Sequence, residues 1–244
     1  MSTPPISINY HFSCGDGREI HFDVALDPDT LEHRFASISD PPPWTRLEHE
    51  QCKGCMLNRD EHSHCPAALS LVELVDLFGA LQSYDEVDVT VTTEKRKLSA
   101  HTSVQKALSS LIGLHMATSG CPSMTFFRPM ARFHLPFATK DETLFRAAGA
   151  YLIAQYFHNV SSNPCDWSLK GLQEAYEMIH EVNVGMASRI RLISESDANL
   201  NAIVVLDLFA HELPYAIGEK LSELKYLFKP YFEAREKGLA TGPA

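Results

Sequence analysis

From position 6 to 26 the large apolar residues fall on even positions only: Ile6, Ile8, Tyr10 and Phe12, then Ile20, Phe22, Val24 and Leu26. Strict alternation is the period of a β-strand with one buried face. Between the two runs lies Cys14-Gly15-Asp16-Gly17, whose glycines reach the positive φ a tight reversal needs. If every even position shares one face, paired residue numbers must add to an even sum, so the loop has odd length. Gly15-Asp16-Gly17 satisfies this, and it sets His11 opposite His21 on the polar face. A slip of one residue would turn every apolar side chain to water.

The rest of the chain falls into two regimes. Asp40-Pro41-Pro42-Pro43 is a stiff breaker. Residues 66–81 carry Leu69, Val72, Leu74, Val75 and Phe78 at helical spacing. Val87, Val89 and Val91 alternate as a third strand, and residues 102–118 read as a second helix ended by Ser119-Gly120. Beyond 138 no strand pattern remains. Thr139 and Glu142 have capping-box spacing and open a helix through Phe157. Ser168 is placed to cap a helix striped by Leu169, Leu172, Tyr176, Ile179, Val182, Met186, Ile190 and Ile193. Two further helices are expected over 199–213 and 214–228, with Pro230 stopping the second. The expected fold is α+β: an N-terminal β-hairpin plus third strand with two helices, then a C-terminal bundle of about four helices. Residues 1–138 and 139–244 form its two parts, or one continuous domain.

Acidic residues outnumber basic ones by 31 to 21, giving a net charge of −10. That balance argues against nucleic acid and against an anionic membrane surface. No apolar run approaches the ~20 residues of a spanning helix. The amino terminus has neither the basic nor the apolar region of a secretory signal. Six cysteines in such a chain are expected as reduced thiols or metal ligands in the cytoplasm.

Half of those cysteines crowd one loop: Cys52 and Cys55 as C-x2-C, then Cys65. The C-x2-C spacing presents two sulfurs from one turn, and Lys53-Gly54 lets the backbone reverse. Cys65 and the distant Cys121 share a setting, since each precedes a proline. Proline suits the first helical position, which puts each cysteine at an N-cap, where free N–H groups favour the thiolate. Cys52, Cys55, Cys65 and Cys121 are therefore the expected metal ligands, with His62 or His64 as rivals to Cys121 and His49 as a further possible ligand. Zn2+ in a closed structural site is the leading cofactor, and an iron–sulfur cluster is the alternative. A C-x-x-C redox switch fits poorly, because no strand leads into this motif.

A second unusual stretch, Arg128 to Thr139, interleaves Arg128, Arg132 and His134 with apolar residues, and two prolines hold it extended. Those three residues could face a small anionic ligand. They could equally pair with surplus carboxylates. An enzyme combining Cys121, His134 and the arginines is a further alternative, without an assignable catalytic set. Glu177 and His180 have the E-x-x-H spacing of di-iron bundles but lack a second copy. Nucleotide-binding glycine loops and H-E-x-x-H are absent. The long apolar helices would also serve a homodimer.

The motifs QCKGC, HCPAA, SGCP and RPMARFHLPFAT, spread over residues 50–140, resemble an uncharacterised bacterial protein family. That resemblance implies only that Cys52, Cys55, Cys65 and Cys121 belong together. It assigns no activity.

Overall fold

The computed structural model describes residues 3–35, 37–161, 164–193, 197–219 and 221–238. The first two residues of the stretch read for a signal lie outside these, as does position 220 within the last expected helix. Strands β1 (Ile6–Cys14) and β2 (Glu19–Leu26) pair antiparallel, with Ile6 opposite Leu26 and His11 opposite His21. The Cys14 N–H donates to the Arg18 carbonyl, which closes the loop on Gly15-Asp16-Gly17, and Gly17 takes a φ of 85°. The imidazoles of His11 and His21 stack with centroids 4.3 Å apart. Strand β3 (Glu86–Thr93) pairs with the other side of β1, and β4 (Lys97–Ser103) pairs with β3. The order is β2-β1-β3-β4, antiparallel throughout. The sequence pattern did not anticipate β4. Its segment carries only Leu98 and Ala100 as apolar residues, both partly exposed on a sheet edge.

One face of the sheet is covered by helices. The helix expected over 66–81 is two pieces, α1 (Pro66–Ser70) and α2 (Val72–Phe78). The break has a local cause. Ser70 Oγ donates to the Ala67 carbonyl, and the Ser70 carbonyl accepts from His115 Nδ1 of α3 (Val104–Thr118). Phe78 meets Phe12 edge-on at 4.9 Å, and His115 meets Phe22 at 5.1 Å. Helix α3 ends before Gly120, whose φ of 89° turns the chain back.

The arginine-rich segment is not extended. A 3-10 turn (Pro122–Phe127) leads directly into α4 (Arg128–Arg132). Pro129 sits in the first turn of α4, where its missing N–H has no partner to lose. Helix α5 (Lys140–Val160) starts at the full Thr139/Glu142 capping box. Helix α6 (Lys170–Arg191) is preceded by Leu169 at φ 63°, not capped by Ser168. Asp166 answers its first turn instead, accepting from the Gly171 N–H at 2.8 Å.

Helix α7 (Ala198–Gly218) runs straight through Pro214, where the sequence suggested a new start. Its buried face, Ala210, Leu213, Ala216 and Ile217, continues across the proline, so packing outweighs the lost hydrogen bond. Pro230 opens α8 (Lys229–Glu236) and ends nothing. By length and composition α7 is also apolar enough to cross a membrane, with a mean hydropathy of 1.3, contrary to the expectation that no such run exists. Here it packs between α3 and α6. The apolar core runs from β1 to Leu224 as one cluster, continuous across position 138. Helix α5 leaves Ile153, Tyr156, Phe157 and Val160 exposed to solvent.

Candidate metal centre

The loop carrying three of the cysteines has almost no regular structure, and its neighbours hold it. At its base, Cys65 N–H donates to the Thr45 carbonyl at 2.8 Å and Leu47 N–H to the Ser63 carbonyl at 3.0 Å. Arg46 and His64 form an isolated antiparallel bridge there. Between these closing bonds the chain makes the C-x2-C turn, with Cys55 N–H donating to the Cys52 carbonyl at 3.1 Å.

Helix α6 is the platform. Arg189 is 1% exposed and donates to the carbonyls of Trp44 and Arg46 at 2.7 Å and of Leu47 at 3.3 Å. One turn earlier, Gly185 leaves room for the loop. A Cβ there would lie 3.0 Å from Cys52 Sγ and 3.3 Å from the Glu50 carbonyl oxygen. Two turns further back, a Cβ on Gly54 would meet Met178 Sδ at 3.0 Å. Gly54 does not use the positive φ expected of it. Its value is close approach to α6. Neither Gly185 nor Arg189 was singled out by sequence, because a glycine and an arginine inside a helical stripe carry no pattern of their own.

Cys65 and Cys121 occupy the expected N-cap positions, with Pro66 and Pro122 following in the first turn. Both are buried, while Cys52 and Cys55 are half-buried. All six cysteines are free thiols. Burial pushes the Cys52 thiol up to about 12, helped by the neighbouring charges of Cys65, Cys121 and Cys55 and opposed by Arg189. Burial pushes Cys121 up to about 11. The N–H groups of Ser123 and Met124 work against that rise, and the charges of Cys65 and Cys55 add to it. The fold thus brings the sulfur from position 121 into the electrostatic neighbourhood of the other three. They are neighbours without being a closed shell: among the described residues, no three His, Cys, Asp or Glu side chains stand at the spacing of one ion's ligands.

The two rival histidines, His64 and His62, are engaged and exposed respectively. His64 Nδ1 pairs with Thr45 Oγ1 at 2.7 Å, and His62 is exposed. His49 Nε2 is buried with no partner among the described residues.

Arg128, Arg132 and His134 do not line one hollow. Arg128 pairs with Glu32 at 2.9 Å. Arg132 is exposed, stacked 5.6 Å from the Phe133 ring. His134 Nε2 is bonded to the Tyr10 hydroxyl, not to Cys121. Burial, then the Arg146 charge, lowers His134 to about 3, so the imidazole is neutral at pH 7. A thiol near 11 with no base on it is a poor nucleophile. His180 Nδ1 bonds Asp207 Oδ1 at 2.8 Å, which accounts for the histidine of E-x-x-H.

No curated protein and no solved structure matches the chain. The family model that does match, a domain of unknown function, covers residues 8–229 and so takes in the sheet, the cysteine loop and the helices alike: the chain belongs to the DUF6901 family.

Proposed function

We propose that Cys52, Cys55, Cys65 and Cys121 bind one Zn2+ ion as a structural clasp, in a reducing, cytoplasmic compartment. The observation that carries this reading is that the fold sets Cys121 beside the 52–65 loop, close enough for the charges of these cysteines to act on Cys52 and on Cys121. Three of them raise Cys52, and two of the same three raise Cys121, across a sequence gap of more than fifty residues. Zinc binds the thiolate, so loading displaces the protons that burial otherwise keeps on Cys52 and Cys121. Four thiolates leave no open position for a substrate, which makes the role structural. The clasp would join the 44–65 loop and the Cys121 turn in front of α6.

Elemental analysis of protein purified without oxygen tests this, together with a visible spectrum. One zinc per chain, lost in Cys121→Ser, supports the clasp. Brown protein containing iron replaces it with the iron–sulfur alternative. If no metal co-purifies and all six thiols react freely under native conditions, both fail.

A further inference from the structure

A cavity of about 480 Å³ lies between β4, α3, α4, α5, α6 and α7. Its walls are largely apolar, built from side chains such as Leu114, Phe127, Leu206, Phe209 and Leu213. That volume is in the range of small-molecule sites, and an apolar hollow left unfilled costs stability. Its polar lining is one-sided. The chain carries 31 acidic residues, yet none lines this cavity, whereas Lys106 and Arg146 both do. Arg146 is partly buried and donates to the carbonyls of Met130 and Phe133, both at 2.9 Å. Among the described residues no carboxylate stands within ion-pair distance of it, and Glu142, one turn earlier on α5, acts on it only at longer range, so a half-buried cation is left without a direct counter-ion. Asn183 of α6 also lines the cavity. It is 2% exposed, and its Nδ2 has no hydrogen-bond partner among the described residues. A buried amide without an acceptor is rare in folded proteins and calls for a reason.

We propose that this cavity binds an apolar monocarboxylate, its hydrocarbon body among the Leu and Phe side chains and its carboxylate paired with Arg146. Lys106, exposed at the rim, adds attraction for the anion, and Asn183 offers a further donor. The site is independent of the cysteine cluster and needs no metal.

Decanoate and its uncharged analogue decan-1-ol are the probes, with binding to the whole chain followed by calorimetry. The expected result is one decanoate per chain, with decanol weaker by about tenfold or more. Ala138→Trp, which fills the cavity from a loop, abolishes binding of both. Arg146→Met brings decanoate down to the decanol level. Because Arg146 also supports two carbonyls, Asn183→Leu and Lys106→Met supply variants without that burden. Asn183→Leu folds with unchanged or raised melting temperature and binds decanoate several-fold more weakly. Lys106→Met weakens it only at low salt. Equal affinity for the acid and the alcohol overturns the anion assignment. Decanoate binding that survives Ala138→Trp, or no binding to the folded wild-type chain, overturns the site.

Discussion

Replacing Arg189 with methionine is the sharpest test of how the cysteine loop is held. The guanidinium reaches three main-chain carbonyls within four residues, those of Trp44, Arg46 and Leu47, and is 1% exposed. Hydrogen bonds from a charged donor contribute about 1.5–3 kcal/mol each, offset by the cost of desolvating the cation. Methionine fills much of the space but leaves buried carbonyls unanswered, at about 1–3 kcal/mol each. The net loss should be about 3–5 kcal/mol, a large part of the ~5–15 kcal/mol of a typical domain. Arg189→Lys should cost about half as much, since one ammonium cannot reproduce a planar fork. Urea unfolding followed by Trp44 emission reads this directly, because Trp44 is buried while the other tryptophan, Trp167, is 67% exposed. A loss below about 1 kcal/mol for Arg189→Met would refute the view that α6 holds the loop by these bonds.

Two further outcomes follow from the same packing. Gly185→Ala puts a Cβ 3.0 Å from Cys52 Sγ and 3.3 Å from the Glu50 carbonyl oxygen, so the loop must give way; it should lose about 1–3 kcal/mol by urea unfolding and, under the proposed zinc clasp, should co-purify with less than half the zinc of the unaltered chain by elemental analysis. Acid should destabilise the fold through His115, which burial holds down at about 3, against about 6.5 in the unfolded chain. The unfolded state then binds the extra proton, so this contribution is complete above pH 6.5 and is lost as pH falls from there toward 3. By pH 5 the loss amounts to about 2 kcal/mol. His33, lowered to about 4, stands edge-on to His115 at 4.6 Å and acts in the same direction. Comparing urea stability at pH 7 and pH 5 for wild type and His115→Leu isolates the effect; an equal drop in both would remove His115 as its source.

The hairpin was legible because parity is an all-or-nothing signal. Every large apolar residue from Ile6 to Leu26 had to agree, and the register followed with no knowledge of the rest of the fold. Where apolar pattern is thin, reading failed, as at β4, whose edge position asks little of its side chains. Proline is where the local pattern and the fold part company three times. Pro129 suggests an extended segment and Pro230 a helix stop, yet each stands in a first turn, where a missing N–H is harmless. Pro214 lies inside α7, where the buried face on either side of it decides the path. A local rule about one N–H cannot see which tertiary contacts compete with it.

The candidate site divides along a similar line. Spacing and the Cys-Pro setting pointed to the four cysteines and to their N-cap placement, because those are properties of adjacent residues. What they rest on is not adjacent. Arg189, Gly185 and Met178 lie more than a hundred residues downstream of the loop, on a helix whose pattern reads as an ordinary amphipathic stripe. Their three contacts follow one another along α6 as the loop runs from Trp44 to Gly54, in opposite directions along the two chains. An irregular segment of that length cannot satisfy its own carbonyls or bury its own sulfurs, so its shape has to come from the surface beneath it. Arg189 fixes one end and the close approach at Gly185 fixes Cys52. Under the proposed clasp, a metal joining Cys52 and Cys55 to Cys65 and Cys121 would add what α6 does not supply, a tie between this loop and the Cys121 turn.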